Sequence, residues 1–214
     1  MIRIRPHWPL RLALLGFAVV LCGCAQSATA GRKYYVLDTV REGGPAQVHT
    51  DATLRLRRFN VDEAFASRQL VYRLDEFRYE PDYYRQFLVL PGVMLTEETR
   101  DWLANSGLFG RVTSVGSRVE SAYLLEGNVT ALYADFTRAS APAAVMEIRF
   151  FLLSGAEGNE SVSLAQTYKA TTPISARTAE AVLEALSGDL KEILARLEAD
   201  IQRVLALKPD KSRP

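Results

Sequence analysis

From Ala179 to Leu207 the chain sets an apolar residue at every third or fourth position. Val182, Leu183, Leu186, Leu190, Ile193, Leu194, Leu197, Ile201, Val204 and Leu205 fall on one stripe. Charges such as Glu184, Asp189, Lys191, Arg196, Glu198 and Arg203 fill the other side. This is the period of an amphipathic helix. At 1.5 Å per residue it predicts a rod roughly 40 Å long, with Thr178 placed to cap its start. A dry stripe of that length must be covered. Either the chain's own sheet covers it, or part of it stays open for a partner subunit, since a small sheet needs less helix than this.

The segments before it read as that sheet. Lys33 to Asp38, Thr53 to Arg57, Gln69 to Arg73 and Glu76 to Glu80 have strand composition, the last two joined around Leu74-Asp75. Val40 to Thr50, with Gly43-Gly44-Pro45, is a loop, and Val61 to Ser67 fits a helical turn. A shorter helix fits Val93 to Ser106, with Leu95, Thr99, Trp102 and Leu103 on one side and Gly107 as its stop. A short strand near Arg111 to Ser114 follows. Tyr123, Leu125, Gly127, Val129, Ala131 and Tyr133 then alternate on one dry face, as do Ala144, Met146, Ile148, Phe150 and Leu152. After a turn at Gly155 to Asn159, Ser161 to Thr171 returns as a strand. The expected architecture is an α/β (α+β) domain over 32–207. It has two layers, with a mainly antiparallel sheet covered on one face by the middle helix and the long C-terminal helix.

The N-terminus is a different kind of segment. Met1 to Arg11 holds three arginines and no acid, and Leu12 to Leu21 is apolar apart from Gly16. A bilayer span takes about 20 apolar residues, so this run reads as an export signal. Leu21-Cys22-Gly23-Cys24 has the form of a bacterial lipobox: a leucine and two small residues before the cysteine that is acylated. Residues 1–23 are therefore expected to be a cleaved signal peptide, 24–31 a lipidated tether and 208–214 a polar tail. Covalent lipid on Cys24 would anchor the protein without a membrane span. Ala25, in the place where an aspartate marks inner-membrane retention, points to the periplasmic face of the outer membrane.

Charge and chemistry narrow the function further. Lysine and arginine number 26 against 25 acids, and the leader takes three of the bases. The mature chain thus has no basic excess for nucleic acid. Its one cysteine carries lipid, which excludes disulfides, and its one histidine, His49, lies in a loop. No pairing at metal-ligand spacing occurs, nor a G-x-S-x-G elbow, an H-E-x-x-H pair or a Walker loop. The expectation is a protein that is not an enzyme and uses no cofactor or metal. Tyr79, Tyr83, Tyr84 and Phe87 stand out instead. They cluster in and just before an aromatic connector from Pro81 to Pro91, where they form either a partner or lipid interface or a plug for the end of the core.

The ordered set of Tyr34-Tyr35-Val36-Leu37 behind a lipobox, Leu54 to Phe59, Gln69-Leu-Val-Tyr-Arg73, Tyr123-Leu-Leu-Glu-Gly127 and a closing helix resembles a known family. This is the ABC-type transport auxiliary lipoprotein components, which include the C component of the paraquat-inducible Mce system. Where members carry Trp-Ala-(Glu/Asp)-Pro-Leu before the middle helix, this chain has Tyr84-Arg85-Gln86-Phe87. The resemblance implies a membrane-tethered accessory of an Mce-type ABC transporter for intermembrane lipid transport. Its partners would be an Mce-domain protein and further copies of itself in a ring. A scaffold or regulator of envelope assembly that binds a cell-wall synthase is the competing expectation; an envelope hydrolase would need paired acids in a cleft.

Overall fold

The computed structural model describes residues 31–46, 49–114, 116–155 and 158–207. The expected signal peptide, Cys24, the expected tether before Gly31 and the expected tail from Lys208 lie outside the described residues. Among those described, nine strands form one mixed sheet, accompanied by two helices. In chain order they are β1 (Lys33–Tyr35), β2 (Thr50–Leu56), β3 (Asn60–Val61), β4 (Gln69–Arg73), β5 (Tyr79–Phe87), α1 (Pro91–Ser106), β6 (Phe109–Thr113), β7 (Tyr123–Asp135), β8 (Ala143–Ser154), β9 (Ser161–Pro173) and α2 (Ala179–Leu207). A single 3-10 turn, Glu63–Phe65, lies between β3 and β4.

β7 is the spine. One edge pairs antiparallel with β8 from Tyr123↔Ser154 to Asp135↔Ala143, and β9 extends that ladder. The other edge takes three short strands end to end, all parallel: β2 at Tyr123 to Leu125, β3 at Asn128 and Val129, and β4 at Ala134 and Asp135. β6 lies parallel beside β2. β5 folds back antiparallel on β4, and β1 closes that side as a parallel edge strand. The long ladders are antiparallel, as expected. The short parallel ladders come from chain connections, which local alternation does not encode.

The dry face of β7 departs from simple alternation. Leu125, Gly127 and Val129 are buried as expected, but Leu132 and Ala134 are buried where Ala131 and Tyr133 were expected. Register against β8 shifts between Val129 and Ala131. One extra residue inverts every side chain after it. Thr130, at the bulge, turns outward and donates its hydroxyl to Glu147 at 2.8 Å. The five expected inward residues of β8 are all buried, and Val145 between two of them is buried as well.

α2 begins and ends where the periodicity puts it. Thr178 caps it, its hydroxyl accepting the Ala181 N–H at 3.2 Å. The helix packs along β8 and β9 and touches α1. Its stripe is buried from Val182 to Leu205, with Val204 partly so. β8 and β9 have 12 and 13 residues, and at about 3.4 Å per residue they are as long as the helix. The stripe is therefore covered by the chain's own sheet, and no spare length remains for a partner. α1 starts at Pro91 and stops at Gly107, whose φ of 73° is the left-handed closure a glycine accepts readily. The Phe59 N–H donates to Thr96 at 2.9 Å and ties α1 to the strand region.

Asp189 is the other departure. It was expected among the exposed charges but is 0 % exposed. Thr172 on β9 donates to one carboxyl oxygen at 2.6 Å; the other is buried without a protein partner. Burial pushes this carboxyl up to about 7, with the Thr172 hydrogen bond acting the other way. The folded state thus holds a proton that the unfolded chain gives up near its ordinary 3.8. Stability from this group is full below pH 4 and falls as pH rises toward 7. Asp189→Asn should leave the protein about 1–3 kcal/mol more stable at pH 8, since each pKa unit is worth about 1.4 kcal/mol. That gain should shrink at pH 5, as read from thermal melts at the two pH values.

Gly127 faces Phe59 so closely that an added Cβ would lie 2.8 Å from the ring. Phe59 meets Phe150 edge-on at 5.4 Å and cannot retreat without disturbing that pair. Gly127→Ala should cost about 1–3 kcal/mol by overpacking, measured as a lowered urea midpoint.

Candidate functional site

The aromatic segment is not an irregular connector. β5 runs through it, and Pro81 pairs with Val71 of β4. β1 reaches only Arg85 to Phe87, so Pro81, with no N–H to give, stands where β5 has a single neighbour. Between Gln69 and Val71 the β4 register advances two residues, while β5 moves from Gln86 back to Pro81. Residues 82–85 bulge out opposite Leu70 alone.

Asp82 holds the bulge closed. One of its oxygens accepts the backbone N–H groups of Tyr84 at 2.9 Å and Arg85 at 3.0 Å. The other accepts the Tyr72 hydroxyl at 3.0 Å and the Arg85 guanidinium at 3.1 Å. Gln86 donates its side-chain amide to the Tyr83 carbonyl at 2.9 Å. Burial alone would raise the Asp82 carboxyl; these donors more than offset it and hold the group below the usual carboxylate range. Burial, aided by the Asp82 charge, pushes the Tyr72 hydroxyl well up, so it stays a donor.

The bulge sorts the four expected interface residues. Phe87 returns to the core at 2 % exposure and is a plug, not an interface residue. Tyr79 is flanked by Phe65 and Tyr133, with ring centroids at 6.3 and 5.5 Å. Tyr83 and Tyr84 are thrown outward at 55 % and 48 % exposure, their rings edge-to-face at 5.2 Å. A bulge that re-aims side chains in this way supplies a surface that simple alternation would not.

That surface continues onto residues the sequence did not single out. Arg32 donates to the Tyr83 hydroxyl and lies 4.4 Å over its ring. Arg68 lies 5.7 Å from the Tyr34 ring on β1, and its guanidinium also reaches the Leu88 carbonyl. The Leu88 N–H donates to the Tyr35 carbonyl at 2.7 Å, joining the start of the β5–α1 connector to β1. Tyr34, Val36, Leu88, Val89 and Leu90 are all exposed. The result is an aromatic and aliphatic platform studded with arginines at the β1 edge. Its sequence signal was weak: Tyr34 reads as one more strand residue, and only the edge position of β1 leaves it uncovered.

Beyond Tyr35 the chain runs down α2. Tyr35 donates to Glu180 at 3.0 Å, the Asp38 N–H to Ser187 at 3.3 Å, and Arg41 to both oxygens of Glu198 at 2.9 and 2.7 Å. Trp102 of α1 donates to the same Glu198 at 2.7 Å. The platform therefore sits on a segment sewn to both helices.

Other hollows exist. One of about 350 Å³ lies among Arg55, Arg118, Glu120, Tyr123 and Glu160, and one of about 210 Å³ among Tyr72, Phe136, Arg85 and Arg177. Among the described residues, no three of His, Cys, Asp and Glu gather at metal-binding distance, and no helix is long and apolar enough to cross a membrane. His49 is exposed.

The fold has relatives among solved structures. A protein of Xanthomonas campestris, described as a member of the DUF330 family, superposes with a TM-score of 0.71 at 19 % identity, covering 80 % of this chain and 96 % of that one. An uncharacterised protein superposes at 0.63 and 14 % identity, covering 80 % and 99 %. At these identities the likeness is one of fold. No family model matches the sequence, and no curated protein matches it.

Asp82→Ala should remove the hydrogen-bond acceptor of the bulge and cost about 1–3 kcal/mol at pH 7. Because the folded carboxyl titrates below its ordinary value, its contribution is present above pH 4 and lost on further acidification. Denaturant unfolding of parent and variant should therefore differ at pH 7 and converge toward pH 3.

Proposed function

We propose that this chain is an envelope lipoprotein, held by lipid on Cys24 at the periplasmic face of the outer membrane. There it serves as the docking accessory of an Mce-type ABC transporter that moves lipid between membranes. The observation that carries this reading is the position of the lipobox. Cys24 precedes β1 by only nine residues, and β1 is the sheet edge that bears the exposed platform.

Three further points support it. The ordered segments that resemble auxiliary lipoprotein components now occupy defined places: Tyr34 to Leu37 on and after the edge strand, Gln69 to Arg73 as β4, and Tyr123 to Gly127 at the start of the spine. Gly127 has a packing reason in Phe59. The exposed aromatics suit recognition of a partner or a lipid surface better than bond chemistry, and we read the protein as a non-enzymatic adaptor without cofactor. Its partners would be the Mce-domain protein and further copies of itself.

Cys24→Ser should release the protein from the membrane fraction into the soluble periplasm. It should also raise outer-membrane permeability to the level of a deletion strain. Detergent pulldown of the parent should recover an Mce-domain protein. Recovery of a cell-wall synthase with no Mce protein would replace this reading with the scaffold alternative.

A further inference from the structure

We infer that the platform of Tyr34, Tyr83, Tyr84 and Leu88, with Arg32 and Arg68, rests on the bilayer to which the protein is tethered and fixes the orientation of the whole domain. The inference rests on the lipid-anchor reading above and adds to it a specific face.

The length of the tether is the first argument. Seven residues lie between Cys24 and Arg32, so eight steps of chain join them. Even fully extended, at about 3.5 Å per residue, they span no more than about 28 Å. The anchored chain end therefore enters the fold at the platform itself, because Arg32 is one of its members through its contact with Tyr83. Any other face of the domain would have to turn toward the membrane by reaching around this edge.

The chemistry of the platform is the second argument. Tyrosine combines an apolar ring with a polar tip and concentrates at the level of lipid headgroups. Leu88, at 54 % exposure, supplies an apolar contact. Arg32 and Arg68 are exposed beside these rings, where their guanidinium ends meet lipid phosphates while their stems lie along apolar surface. Asp82 is consumed inside the bulge, and Glu180, which accepts from Tyr35, is offset by Lys33 and Arg85.

A second copy of the chain adding a strand here is the weaker occupant. β1 has only three residues, and a short edge offers few free backbone groups for pairing. A domain that lies on the bilayer through this edge also leaves the opposite edge, β9, turned toward the periplasm.

The test uses the acylated full-length protein, whose anchor thiol is blocked, so that an introduced cysteine is the free one. Leu88→Cys and Tyr84→Cys are labelled with an environment-sensitive dye, as is Val162→Cys on β9, which is 59 % exposed at the far edge of the sheet. Each is reconstituted into phosphatidylethanolamine–phosphatidylglycerol vesicles carrying spin-labelled lipid. The dyes at 88 and 84 should lose at least half their emission, and the dye at 162 less than a tenth. Equal quenching at all three positions, or none at 88 and 84, overturns the inference. A blue shift at 88 without quenching overturns it in favour of a protein occupant. Mass spectrometry of the N-terminal fragment separates the two levels. Lipid on Cys24 with no quenching at 88 and 84 sinks the platform alone, whereas an unmodified Cys24 sinks the anchor reading with it.

Discussion

Everything in this fold is hung on the hydrogen-bonding capacity of β7. Its thirteen residues satisfy one edge with a single long partner, β8, and the other with three short strands in succession. A backbone edge left unpaired in a protein interior is costly. Each short strand therefore has to arrive at its own stretch of β7 and no other. The chain accomplishes this with connections, not with long complementary strands. The 3-10 turn between β3 and β4 carries it from the middle of the spine toward its end. The bulge at Thr130 is part of the same arrangement, because it lets the strand keep hydrogen bonding to β8 while changing which residues face the helices.

The covering layer follows from that spine. α2 lies along β8 and β9 because the three elements are of matching length and its stripe meets the inward residues of β8, with Tyr168 and Ala170 of β9. The cost of the match shows at Asp189, a carboxyl driven into the seam between α2 and β9 with one oxygen unpaired. Such a group is tolerated when its proton is retained, which is the state burial favours. The N-terminal segment then fills the groove between α1 and α2. Arg41, Glu198 and Trp102 form a half-buried, charge-assisted knot there.

The exposed platform is the one region where local order works against burial. An extended β5 would alternate its aromatics in and out; the Asp82 bulge instead projects two tyrosines in succession and still delivers Phe87 to the core. A carboxylate held below its ordinary range by four donors is a strong device for so small a distortion. Its effect is confined to the surface nearest the entry of the chain into the fold.

The sequence by itself determined the elements whose burial is dictated by their own period. The long stripe of α2, the start at Thr178, the Gly107 stop and the dry face of β8 all follow from local pattern, because a helix or strand fixes which of its residues point the same way. Only the tertiary structure decided how the strands pair and which tyrosines stay wet. Whether β1 is an edge, whether Phe87 plugs the core while Tyr83 beside it faces water, and whether Asp189 is buried all depend on neighbours distant in the chain. A one-residue bulge or a turn of connection reverses such outcomes without altering the local pattern of apolar and polar residues.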